Sequence, residues 1–387
     1  MYVLSFFFSL HIAISAYINS TFLTGFISEK YVGLLFTFES IITLIMLLRS
    51  SGILAYWGNR RMVLVMLMIN MLSLVGLITS ASPYVVSLSF IGFSVTNTLV
   101  YLCLDIFIEH FGNKHTVGTT RGIYLTILNS AWVISPLITS ILITQEGGYR
   151  TIYLLSFLAT IIMTIGMFFS VKTFSDKSYK KMPFLETYKD LEKNPHMRAV
   201  MMVNFILQFF YVWMVIYAPI YLYKHIGLGW DQLGLIFTIM LVPFVVFGLL
   251  VGILIDKFKV HKTNLLYLGF IILSISTCII TFTTTKNILI WAVILFATRV
   301  GASIVETTSE IYFFTHAKEE DSHLLGFFRD MSPVAYIVAP LLGTVVFLFF
   351  PFKYLFLILS LIILIGIYYI PKLKHNHGNK NGNQLSG

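Results

Sequence analysis

Arg299 stands alone in an apolar stretch, about twelve residues from where that stretch begins near position 287. At ~1.5 Å per residue this is roughly 18 Å, near the middle of a hydrocarbon layer about 30 Å thick. A charge at that depth costs about 3 kcal/mol or more on insertion scales, so it must face a cavity or a partner. Two chemistries suit it. One is a site for an anionic part of a substrate. The other is an ion pair, with Glu39 or with a carboxylate of the same stretch such as Glu306, seven residues further along. Glu39 also lies within an apolar run, and His11 lies about midway along the first one. Histidine changes charge near neutral pH, so a His, a Glu and an Arg inside a membrane suit proton coupling. A lone histidine on an apolar helix equally suits plain hydrogen bonding. Asn204, Gln208 and Tyr211 fall at i, i+4 and i+7, one face of a helix. Amides beside aromatic rings suit a sugar or another polar organic solute, or hydrogen bonds between helices. Tyr17, Asn19, Asn97 and Asn129 are further candidates of the same kind.

A second set of charges lies at the ends of apolar runs. Asp105 and Glu109 are spaced i, i+4, as are Glu306 and Glu310, so each pair shares a helix face. Arg121 and Arg329 open the runs that follow them. Two turns resemble each other half a chain apart: Gly52 to Arg61, with Arg60, and Gly252 to Lys262, with Asp256 and Lys257. Glycine lets helices approach and the chain reverse, and an aspartate beside a helix N-terminus is favoured by the dipole. These residues read as a cytoplasmic gate whose salt bridges break and re-form, as a proton site, or as static interface charge. Paired carboxylates also occur in glycosidases and metal sites. With no His-rich partner set and no nucleophile–base set, an enzyme is not expected, nor a metal or other cofactor.

The elements that must hold these residues follow from composition. The 387 residues are 57% hydrophobic and 11% charged, against about 25% charged in a soluble domain. Runs of about 20 apolar residues recur and predict twelve transmembrane helices: 3–24, 32–50, 62–82, 84–110, 121–144, 150–171, 198–222, 232–255, 263–285, 287–314, 324–350 and 352–371. Prolines 219, 243 and 340 lie within spans and predict bends. The first run starts without a basic segment, so it reads as a spanning helix rather than a cleaved signal. Cys103 and Cys278 both lie in apolar runs and point to neither a disulfide nor a metal site. The net charge of +9 sits in short turns, without the basic-aromatic stripes of a nucleic-acid groove, so the partner is the lipid bilayer and not nucleic acid. Of the 26 Lys and Arg, 20 fall in the even-numbered turns and the tail and 5 in the odd-numbered turns. That asymmetry predicts a multi-pass cell-membrane protein with both termini in the cytoplasm.

The chain is also repeated. Val32-Gly-Leu-Leu-Phe-Thr37 matches Leu233-Gly-Leu-Ile-Phe-Thr238 at an offset of 201, and Asp105/Glu109 match Glu306/Glu310 at the same offset. The predicted organisation is a six-helix bundle over 1–171, a cytoplasmic linker over 172–197, a second bundle over 198–371 and a disordered cytoplasmic tail over 372–387. With these turns and this duplication, the chain resembles the major facilitator superfamily. The motif that carries the resemblance is a glycine, a leucine, an aspartate and basic residues in the turn after the second helix of each half. Gly252, Leu254, Asp256, Lys257 and Lys262 keep it; the first copy has Tyr56 in place of the aspartate. The resemblance implies an all-α membrane protein of two pseudo-symmetric six-helix bundles. Helices 1, 4, 7 and 10 would line a central cavity, which fits Arg299. It implies a secondary transporter acting by alternating access, here on a small polar or anionic organic solute, coupled to protons or another ion and working as a monomer. The glycine-rich helix 5 signature of drug/proton antiporters is absent, since positions 131–140 keep Pro136 alone. Efflux of amphipathic compounds and a non-transporting membrane sensor stand as alternatives. No phosphate-binding G-x-x-x-x-G-K-[ST] loop is present, so ATP is not the expected drive.

Overall fold

In hydrocarbon a backbone N–H or C=O has no water to bond, so apolar runs of this length must close their hydrogen bonds internally as helices. The computed structural model describes residues 2–111, 117–143, 148–170, 194–316 and 331–373, and every regular element among them is helical. The first seven helices are α1 (Tyr2–Ala16), α2 (Asn19–Leu23), α3 (Glu29–Trp57), α4 (Asn59–Thr79), α5 (Pro83–Phe111), α6 (Val117–Leu142) and α7 (Tyr149–Ser170). After the described residues resume come α8 (Pro195–Ile220), α9 (Trp230–Asp256), α10 (Lys262–Phe282), α11 (Ile288–His316), α12 (Met331–Phe349) and α13 (Tyr354–Tyr369). Among the described residues ten helices are long and apolar enough to cross a membrane. Two further expected spans carry shorter apolar helices, Val3–Ala16 and Ser130–Leu142. The protein is therefore multi-pass. Most of the linker 172–197 and of the tail 372–387 lies outside the described residues.

Two expected spans depart from a plain helix. The first, 3–24, stops at Ala16, turns at Tyr17 and Ile18, and resumes as α2. Asn19 is fixed just past the break, its side-chain oxygen accepting from the Tyr153 hydroxyl at 2.8 Å. Broken backbone is tolerated at membrane depth where protein covers it, and Tyr17 and Ile18 are buried. The second is α8, which passes into a π-helical turn over Tyr221–Ile226 just after Pro219 and ends at Gly227 with φ +76°. Proline removes one helix hydrogen bond, which allows such a change of winding. Pro243 and Pro340 sit inside continuous helices α9 and α12.

The packing of the first seven helices is repeated by the last six. α1 packs on α6 and α7, α4 on α5 and α7, and α3 on α5. In the same way α8 packs on α12 and α13, α10 on α11 and α13, and α9 on α11. Two seams join the sets, α3 with α12 and α6 with α9. Each seam closes on a glycine. A Cβ on Gly33 would lie 2.7 Å from the Pro340 carbonyl oxygen, and one on Gly234 would lie 2.7 Å from that of Pro136. Hydrogen bonds tie the same end of the molecule: Thr37 to the Ile337 carbonyl at 3.2 Å, the Trp230 indole to the Tyr149 hydroxyl at 2.9 Å, and Lys224 to the Thr24 carbonyl at 3.5 Å. His225 and Glu29 pair there at 3.3 Å. At the other end, a Cβ on Gly52 or Gly252 would meet nothing within 4 Å.

Candidate functional site

α11 carries Arg299 to mid-length, and α8 and the break after α1 bring aromatic rings against it. The guanidinium lies 5.0 Å from the Phe210 ring centroid and 5.6 Å from that of Tyr211. The Tyr17 phenol also reaches the Arg299 side chain. Tyr17 in turn stacks on Phe237 of α9, with centroids 5.0 Å apart and planes 29° apart. Arg299 is 2% exposed, and its Nε and Nη1 are buried without a hydrogen-bond partner among the described residues. Each such buried donor costs about 1–3 kcal/mol. Ring faces offset part of that through cation–π attraction, but they do not satisfy an N–H.

The acids near this arginine are held by other groups. Glu306 lies two turns along α11, half-buried, and its Oε2 accepts from the Tyr211 hydroxyl at 3.0 Å. Tyr211 thus gives its ring to Arg299 and its hydroxyl to Glu306. Glu39 on α3 is 6% exposed and accepts from Ser40 at 3.0 Å and Thr43 at 2.8 Å. Among the described residues no carboxylate lies within ion-pair distance of Arg299, so the pairing with Glu39 or Glu306 weighed from the sequence is not formed. Tyr336 on α12 lies within electrostatic reach of both Glu39 and Tyr17, which links the two sets of helices around the site. Gln208 donates to Asn204 at 3.5 Å along the face of α8 that ends at Tyr211.

His11 is not brought to this cluster. It is fully buried between α1, α5 and α7, its Nδ1 3.0 Å from the Ser156 hydroxyl and 3.4 Å from that of Thr160. Asn97 lies beside the ring, and Nε2 has no hydrogen-bond partner among the described residues. Asn97 is engaged by Asn70 at 2.8 Å. Of the charges read as a gate, Glu306 joins the Arg299 cluster through Tyr211, and the others described are not brought to it. Gly52 and Gly252 face open space, and Arg61 and Lys257 are exposed. The Arg60 guanidinium sits 6.0 Å from the Phe168 ring with its Nε unpartnered. Asp105 is half-buried and Glu310 exposed on their helices. Arg329 and the side chains of Glu109, Arg121, Asn129 and Asp256 lie outside what is described. Phe210, Phe237 and Tyr336 were not legible as site residues, since aromatic residues are frequent throughout these runs.

Helices paired twice over, joined at one end by two glycine seams, with an arginine at mid-depth that has no ion-pair partner among the described residues, agree with what the sequence matches. Residues 1–309 and 216–386 match the family model of the Major Facilitator Superfamily. The chain belongs to the Major Facilitator Superfamily. Solved structures share this facilitator fold. A crystal structure of a mutant of the nucleoside transporter NupG superposes with a TM-score of 0.76 at 11% identity, over 96% of this chain and 98% of that one. A bacterial metal transporter superposes with a TM-score of 0.68 at 12% identity, over 96% of each chain. At such identities the likeness is one of fold. No curated protein matches this chain. The family marks the facilitator as a membrane transporter.

Proposed function

We propose that this facilitator is a secondary active transporter of a small polar or anionic organic solute, coupled to protons and working by alternating access as a monomer in the cell membrane. The observation that carries the reading is Arg299, buried with two N–H-bearing nitrogens unpartnered and with both nearby acids already occupied by hydroxyl donors. A site so arranged presents N–H donors that an anionic group of a substrate can accept from. Glu39 and Glu306 have no cationic partner within ion-pair distance among the described residues, the arrangement of carboxyls that take up and release protons inside a membrane.

The rest of the reading follows from the repeat. The recurring pairings and the matched glycine seams support two six-helix bundles, 1–171 and 198–371, related by a pseudo-two-fold axis. The bias of Lys and Arg supports cytoplasmic termini, linker and tail. The Gly33 and Gly234 end then faces outward and is closed, while the Gly52 and Gly252 end is open to the cytoplasm. The bundles rock about Arg299, and Gly52, Arg60, Arg61, Asp105, Glu109, Arg121, Gly252, Asp256, Lys257, Glu306, Glu310 and Arg329 form the gate that closes in the opposite state, Glu306 joining it to the site. Counterflow of a panel of organic anions in proteoliposomes, with and without an imposed pH gradient, tests this. Exchange that is lost in Arg299→Ala and driven by the gradient supports it. Uptake of every anion unchanged in Arg299→Ala would refute the site, and indifference to the gradient would refute the coupling.

A further inference from the structure

We propose that the Arg299 site takes a planar aromatic monocarboxylate, its one carboxylate on the guanidinium and its ring among aromatic side chains drawn from both halves. The inference rests on the transporter reading above and narrows its substrate. Three observations carry it.

The first is charge. Arg299 is the one Lys or Arg at the middle of a predicted span, the others within spans lying near their ends. A single desolvated positive charge balances a single negative one. A second negative charge would find only Glu306, two turns along the same helix and itself anionic when ionised. Left unpaired in this medium it would carry most of the cost of burying a charge. Dicarboxylates and phosphate esters are therefore disfavoured.

The second is the wall. Phe210 and Tyr211 present rings to the guanidinium from α8, and Tyr17 reaches it from the break after α1, backed by Phe237. Aromatic pairs contribute about 0.5–1.5 kcal/mol beyond the area they bury. A flat ring placed among them gains this more than once, and a saturated or open-chain body gains none of it. A sugar would need polar partners on every side, and the groups set against the guanidinium here are three rings, those of Phe210, Tyr211 and Tyr17.

The third is access. Arg299 is buried, whereas Tyr211 and Glu306, nearer the open end, are half-buried. A ligand arriving from that end meets Glu306 and Tyr211 before the ring-lined arginine. Because Tyr17 and Phe237 belong to opposite halves, the wall is complete only while the seam above them is shut. Tyr17 is thus a specificity-determining residue whose contribution depends on closure.

The test is equilibrium binding of radiolabelled benzoate to the full-length protein in lipid nanodiscs, with unlabelled competitors. Saturable binding is expected, weakened at least 30-fold in Arg299→Gln, a variant that removes an unpaired buried charge and should still fold, as its thermal unfolding will report. Phthalate, succinate and benzyl alcohol should compete at least tenfold more weakly than benzoate. Cyclohexanecarboxylate should compete several-fold more weakly, and Tyr17→Leu should erase that last difference while leaving the dependence on Arg299 intact. Phthalate or succinate binding as tightly as benzoate would overturn the single-charge argument. Cyclohexanecarboxylate or propionate binding as tightly, still dependent on Arg299, would overturn the aromatic assignment and leave the proposed function standing. Absence of Arg299-dependent binding for every anion would overturn both.

Discussion

Two pairs of glycines, Gly33 with Gly234 and Gly52 with Gly252, occupy matching places in the two halves but opposite ends of the molecule. At the first pair a single added carbon would lie 2.7 Å from a carbonyl oxygen. At the second pair the same carbon would meet nothing within 4 Å. The same residue type therefore does different work in one conformation. One end is sealed by backbone-to-backbone approach, which only glycine permits, and the other, in the proposed reading, is parted. Interfaces packed this closely do not deform gradually, so the seams are expected to be either shut or open. Glycines that are idle at the open end are the ones that should matter when that end closes.

The largest effect should come from filling the shut seam. Gly33→Ala places its Cβ against the Pro340 carbonyl, the Thr344 hydroxyl and the Tyr217 phenol. Gly234→Ala does the same against Pro136 and Ser140. Overpacking of this kind costs about 1–3 kcal/mol, a shift of about 5- to 150-fold toward the parted state. Labelling of a cysteine at Ser140 by an impermeant thiol reagent should rise accordingly. Next comes the linkage at the site. Tyr211→Phe keeps the ring on Arg299 and removes the hydroxyl from Glu306, so a loss of about 1 kcal/mol should slow exchange by about fivefold. Gly52→Ala and Gly252→Ala should leave Ser140 labelling within about twofold of the parent in the absence of ligand, because nothing in this state opposes the added carbon. A change as large as that of Gly33→Ala would erase the contrast between the two ends. The smallest effect belongs to the ion pair on the sealed end. Glu29 and His225 are both partly exposed, at 28% and 36%. Such pairs contribute about 0–1 kcal/mol and fade with salt, so Glu29→Gln should raise labelling by less than about fivefold, and by nothing at 1 M salt.

Much of this contrast could be read from the chain, but not its meaning. Gly33 and Gly234 lie in the clearest part of the internal repeat, at an offset of 201, so their equivalence was visible. Their contacts with Pro340 and Pro136 were not, because no periodicity reports on residues brought together across two halves. Gly52 and Gly252 were legible as a pair of basic turns, but not that an added carbon there would meet nothing within 4 Å among the described residues. The depth of Arg299 followed from counting residues along an apolar run. Its ring partners did not, since among 35 phenylalanines and 21 tyrosines a single ring carries no positional signal. The break at Tyr17 was also hidden. No glycine or proline marks it, and the turn is stabilised by burial and by the Tyr153 contact with Asn19, which are tertiary effects.

The most direct test of reciprocal opening is a pair of distance measurements between spin labels on the two halves. In a background with Cys103 and Cys278 replaced by serine, one pair joins Ala81→Cys to Thr284→Cys at the sealed end. The other joins Ala55→Cys to Lys259→Cys at the parted end. Introducing Gly33→Ala together with Gly234→Ala should lengthen the first distance and shorten the second, with matched populations. A single unchanged distance at both ends, or two ends that move independently, would contradict the account.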